Sequence, residues 1–219
     1  MTCAVLWDLD GTLVDSEEFH WRAWRETMAA EGVPLTYEQF RETFGQRNDS
    51  FVPRWLGPGA TLEHARRVAE EKEACYRRLV LAHGVDPLPG AAEWVRRLRG
   101  EGWKQAIASS APRLNVEAML KASGLAAWMD ASVAAEDVRH GKPDPEVFLT
   151  AAARLGAEPG RCVVVEDAPA GIEAARRAGM QSIGIARNGA SLDACLVAPS
   201  LAALPPDAFA KLLRENCRT

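Results

Sequence analysis

From residue 86 onward, short apolar runs alternate with segments of helical period, and no other feature constrains the fold of this chain as much. Lys104–Ser109, Ala131–Ala134, Cys162–Glu166 and Gln181–Ile185 read as strands. Helical patterns run from Pro89-Gly90 to about residue 100, near 113–122, over Pro145–Leu155, over Ala168–Ala178 and near 206–215. Such alternation predicts right-handed βαβ units and a parallel sheet. Residues 3–8 (CAVLWD) supply one more strand, apolar on both faces as a helix-covered parallel strand is.

The stretch between these regions has a different character. Helical patterns over about 17–31, 37–44, 47–56 and 61–82 follow one another, separated by breakers such as Gly32-Val33-Pro34 and Gly57-Pro58-Gly59. Thr61 is placed to open the long fourth helix. No strand pattern interrupts them, so the prediction is an all-helical insertion after strand 1 of an α/β core.

Composition narrows the function classes. With 47% hydrophobic and 26% charged residues in 219, there is ample material for a core. A net charge of −4, with every basic pair close to acids on a helix, argues against nucleic acid as a partner. No apolar run approaches the roughly 18 residues of a membrane span. The start MTCAVLWDLDGT lacks the pattern of a leader, so a cytoplasmic location is the expectation, and a monomer is expected because no long apolar stripe is left unassigned. Five cysteines without a C-x-x-C indicate neither a disulfide framework nor a zinc site.

Four motifs carry chemistry. Asp8-Leu9-Asp10-Gly11-Thr12 puts two carboxylates at the end of the first strand, the edge where open α/β sheets bind ligands. Alone it also reads as a solvated Asx turn. Val163-Val164-Val165-Glu166-Asp167 ends a β-branched strand in two acids. If that strand neighbours the first, Asp8, Asp10, Glu166 and Asp167 converge as hard oxygen ligands for Mg2+; alone, the pair reads as a cap for the next helix. Ser109-Ser110 stands before a helix, as an anion site or as a plain N-cap. Gly141-Lys142-Pro143-Asp144-Pro145 holds a lysine in a loop stiffened by two prolines, exposed or set beside a phosphate.

Taken together, in this order, the motifs resemble those of the haloacid dehalogenase (HAD) superfamily. Asp8–Leu13 matches its first motif, Ser109 its second, Lys142 its third and Glu166-Asp167 its fourth. Val165–Met180 (VEDAPAGIEAARRAGM) is especially similar to the branch of sugar phosphatases and β-phosphoglucomutase. The resemblance implies a Rossmann-like three-layer parallel-sheet core over 1–16 and 86–219, with a helical cap over 17–85. It implies Asp8 as nucleophile and Asp10 as general acid and base. It assigns Ser109, Ser110 and Lys142 to phosphate, and Mg2+ to Asp8, the Asp10 main-chain carbonyl and Asp167, with Glu166 assisting. On the cap it points to His20, Arg47 and Asn48 as substrate contacts, with Trp21, Trp24 and Trp55 either packed between helices or lining a pocket. Phe44 stands where the mutase has a lysine, and Arg47 falls one position off the mutase pattern. Both departures favour a Mg2+-dependent phosphatase of a small phosphorylated metabolite, a sugar or polyol phosphate, over a phosphomutase. A non-enzymatic binding module is disfavoured, because every catalytic carboxylate is present.

Overall fold

Four consecutive apolar residues make β1 (Ala4–Trp7), and all four are buried. In the computed structural model the chain continues through α1 (Glu17–Ala30), α2 (Tyr37–Thr43), α3 (Asn48–Leu56) and α4 (Leu62–His83). There follow α5 (Ala91–Gly100), β2 (Lys104–Ala108), α6 (Arg113–Ser123), β3 (Ala131–Val133) and α7 (Glu146–Leu155). The last elements are β4 (Cys162–Glu166), α8 (Pro169–Arg177), β5 (Gln181–Ile185), β6 (Leu196–Ala198) and α9 (Ala208–Asn216). The structure describes residues 2–43, 48–187 and 191–216, with the side chains of all but Asp49, Glu215 and Asn216. Phe44 and Arg47 therefore lie outside the described residues.

Two compact units emerge, Met1–Asp15 with Val85–Thr219, and Ser16–Gly84. In the first, six strands form one parallel sheet in the order β3-β2-β1-β4-β5-β6. Alternation along β1 divides its side chains between two faces. Ala4 and Leu6 join Val147, Phe148 and Ala151 of α7 and Ala174 and Ala175 of α8 in one buried layer. Trp7 faces the other way and packs on Phe209 of α9, which also meets Trp94 of α5. Gln105, fully buried on β2, is matched there: it accepts from Trp7 Nε1 (3.0 Å) and donates to the Val95 carbonyl (2.8 Å). Helices thus cover both faces, the three-layer Rossmann-like arrangement that apolar parallel strands require.

The sequence pattern contains every long element but not β6. That strand has three residues, one of them exposed, so neither length nor alternation marks it. Pairing to β5 and a bond from Ala186 N–H to the Ala198 carbonyl (2.8 Å) create it.

The second unit is all helical. Thr61 caps α4, accepting from His64 N–H at 3.1 Å. Trp24 meets Phe51 and Trp55 edge-on at 5.5 and 5.2 Å, and Trp21 packs on Tyr37 and Phe40. The three tryptophans thus take the packing role between helices. Three of the basic pairs are solvated, as in Arg66 with Glu70 and Arg176 and Arg177 with Glu173, while Arg77 is half-buried. No helix among the described residues is long and apolar enough to cross a membrane.

Candidate functional site

The parallel register builds the site. Trp7 pairs with Ile107 of β2 and with Val165 of β4, so the residues one step beyond, Asp8 and Glu166, emerge side by side. Asp8 extends the ladder through its N–H to the Val165 carbonyl (2.9 Å). The chain must then turn sharply, and Gly11 does so with φ of +85°. A Cβ there would lie 2.1 Å from Asp167 Oδ2, so a glycine is needed both for conformation and for room. Gly171 has a parallel role on α8: a Cβ would sit 2.1 Å from the Glu166 carboxyl carbon. The missing side chain lets the helix close over that acid.

Lysine 142 reaches into this cluster from its loop. Its Nζ donates to Asp8 Oδ1 at 2.6 Å and to Glu166 Oε2 at 2.7 Å, and it stands 5.1 Å from the Phe148 ring centre. The lysine is therefore neither idle nor exposed, its side chain being 8% accessible. Glu166 Oε1 accepts from Ala168 N–H (3.2 Å), and Thr12 makes a long contact of 3.4 Å to Asp167 Oδ1. Ser109 is buried at the end of β2, with its hydroxyl accepting from Ala111 N–H at 3.0 Å. The cap position of α6 belongs to Pro112, so neither serine is a plain helix cap. Ser110 is exposed.

Oxygens of Asp8, Glu166 and Asp167 lie within 4.8 Å of one another, while the Asp10 carboxylate stands outside that trio. Burial, and after it the charge of Asp8, raises the Glu166 and Asp167 carboxyls above their ordinary ranges. Burial works against the Lys142 ammonium, yet Asp8 and Glu166 outweigh it and hold the group above the ordinary lysine range. Like charges this close need a cation or a proton between them. An all-oxygen trio that one lysine only partly neutralises fits a hard divalent cation such as Mg2+.

The helical unit holds a separate polar cluster. His20 stacks on Tyr76 at 4.1 Å, and Lys72 Nζ lies 2.8 Å from its Nδ1. An ammonium only donates, so Nδ1 accepts and the ring proton sits on Nε2. Lys72 also bonds Glu73 (2.9 Å), which accepts from Asn48 (3.0 Å), and lies over the Trp24 and Tyr76 rings. Lys72 and Glu73 escape a reading of the charged run EEKEA, but the helical period marks Lys72. It falls on the buried stripe of α4 with Ala65, Val68, Tyr76 and Leu79.

Burial, and then the Lys72 charge, holds the His20 imidazole well below its ordinary value, so it is neutral when folded. Below the ordinary histidine pKa the unfolded chain binds a proton that the folded one refuses, so stability is full above that pKa and falls with falling pH. The fall amounts to at most about 1.4 kcal/mol per pH unit. Urea midpoints of wild type and His20→Phe, compared from pH 7.5 to 5, should converge as pH falls. Parallel curves would show that His20 is not the titrating group.

Comparisons with known proteins identify the family of the fold. The family described as haloacid dehalogenase-like hydrolase matches residues 3–179. Fructose-1-phosphate phosphatase YqaB of Escherichia coli (strain K12) is 35% identical over 189 residues, covering 83% of this chain and 95% of that protein. SUPPRESSOR OF QUENCHING 1, a chloroplastic protein of Arabidopsis thaliana, is 37% identical over 83% of this chain, which spans only 18% of that much longer protein. The crystal structure of β-phosphoglucomutase from Clostridium difficile superposes with a TM-score of 0.84 at 27% identity, covering 100% of both chains. The chain belongs to the haloacid dehalogenase-like hydrolases, as an enzyme of their β-phosphoglucomutase and sugar-phosphatase branch.

Proposed function

We propose that this enzyme is a Mg2+-dependent phosphatase that hydrolyses a small phosphorylated metabolite, a sugar or polyol phosphate, through an aspartyl-phosphate. The observation that carries the reading is Lys142 Nζ set between Asp8 Oδ1 and Glu166 Oε2 where β1 and β4 end. A carboxylate nucleophile and a dianionic phosphate repel each other, and a fixed ammonium beside the carboxylate offsets that repulsion. The phosphatase activity named for the Escherichia coli relative points the same way.

In this reading Asp8 forms a bond to phosphorus as the ester bond breaks, and Asp10 gives its proton to the departing oxygen. Asp10 then takes a proton from water, whose oxygen attacks the phosphorus and releases inorganic phosphate and Asp8. Lys142 and Ser109 hold the phosphoryl oxygens. Asp8, Asp167 and the Asp10 carbonyl would hold Mg2+, with Glu166 assisting, and the ion would supply charge neutralisation. The helical unit, with His20, Asn48 and Arg47, would act as the cap that selects the substrate.

Phosphate release from a panel of sugar and polyol monophosphates, with Mg2+ and with EDTA, tests the proposal. Release with Mg2+ and none with EDTA is the expected result, and no release from any member would overturn it. The likeness to the Clostridium difficile β-phosphoglucomutase favours a second reading, a phosphomutase. Conversion of glucose 1-phosphate to glucose 6-phosphate without net release, in the same tubes with a bisphosphate primer, would establish that alternative.

A further inference from the structure

The segment between β3 and α7 carries Lys142, and its backbone has little secondary structure to hold it. Proline at 143 and 145 removes two donors and stiffens the chain. The amides that remain need acceptors. Glu146, the first residue of α7, turns its carboxylate back over the loop. Its Oε2 accepts from Arg139 N–H at 2.8 Å and from His140 N–H at 3.0 Å. On the other side of the lysine, Asp144 N–H bonds the Gly141 carbonyl (3.0 Å) and Asp144 Oδ1 accepts from Glu146 N–H (3.0 Å). Lys142 is thus enclosed in a ring of chain that Glu146 closes. Two residues further along α7, Phe148 lies beneath the Lys142 ammonium.

We propose that Glu146 is a positioning residue that sets where the Lys142 ammonium stands. It touches neither Asp8 nor the phosphate; it acts by fixing both ends of the loop to one helix. This rests on the phosphatase reading only for its effect on rate. A charged group that must meet developing charge loses much of its effect when displaced by an ångström. The carboxylates of Glu146 and Asp144 also stand near His140 as possible ligands for a metal ion. One oxygen of each already accepts from the backbone, Glu146 Oε2 from two amides and Asp144 Oδ1 from one, and loop closure accounts for the arrangement without an ion.

The test uses the full-length protein and two readouts. The first is acylation of Lys142 by acetic anhydride at fixed pH, followed by mass spectrometry, which requires no turnover. The second is kcat/KM on the best substrate of the panel. Glu146→Ala should raise Lys142 labelling severalfold and lower kcat/KM by ~10- to 100-fold. Glu146→Gln keeps a side-chain oxygen for both amides, so it should restore both readouts close to wild type. In a Lys142→Ala background Glu146→Ala should cost almost nothing further, because the two act as one unit. If the alanine variant fails to fold, Glu146→Asp, whose arm is too short for both amides, should give an intermediate labelling rate. Unchanged labelling in the folded Ala or Asp variant overturns the proposal, as does a loss fully additive with Lys142→Ala. A wild type that releases no phosphate would sink the phosphatase reading, and labelling would still decide the role of Glu146.

Discussion

Asp8→Asn should reduce phosphate release at least about a thousandfold, roughly 4 kcal/mol in barrier height. The substitution keeps the size of the side chain and an oxygen that can still accept from Lys142 Nζ, now 2.6 Å from Asp8 Oδ1. What it removes is the negative oxygen that would bond to phosphorus. It also removes the charge that helps raise Glu166 and Asp167, so the acids repel one another less. The variant should therefore stay folded, with a thermal midpoint near that of wild type. Single-turnover phosphate release and a thermal scan check both halves. Activity above about a tenth of wild type would remove Asp8 from the nucleophile's place.

Lys142→Met should show the second largest effect, and in a different currency. Without its ammonium, Asp8 and Glu166 face each other at 9% and 2% side-chain exposure. Removing one partner of a buried charge cluster costs about 3–5 kcal/mol. In EDTA that should lower the thermal midpoint by roughly 6–20 °C for a chain of this size. Added Mg2+ should restore much of the loss, because a ligand that binds only the folded state stabilises it. Activity should stay at least about a hundredfold down even then, since the ion would not take over the place at the phosphoryl oxygens that the proposed mechanism gives the lysine. Thermal scans with Mg2+ and with EDTA give the contrast. An Mg2+ shift no larger than that of wild type would mean the lysine is not what balances the acids.

The alternation of strand and helix was legible because the strands are covered on both faces and so are largely apolar, as in Val163-Val164-Val165 of β4. β6 was not, since three edge residues carry no period. The acids of the site were legible because they end strongly marked strands. The partner of Lys142 was not: two prolines show that the loop is stiff, but not where its lysine points, and Asp8 is 134 residues away. Ser109 could be placed, though not told from a helix cap, because that depends on where α6 begins. Lys72 was hidden for the opposite reason. Acids beside it imply solvent, while its position on the apolar stripe of α4 implies the interior, and packing against Trp24 and Tyr76 decided between them.

The pairing of Trp7 with Val165 has a consequence for how such a chain can change length. The distance between Asp8 and Glu166 is set by counting residues from that pair, so the sheet behaves as a ruler whose zero lies at its buried middle. A residue inserted before Ala4 or before Cys162 lengthens a connection and leaves the count intact. One inserted between Leu6 and Asp8 shifts Asp8 by a pleat and turns it towards a helix layer. Insertions and deletions should therefore be tolerated at the amino edge of the sheet and in the loops between the helices of the other unit, and rejected over a few residues of β1 and β4.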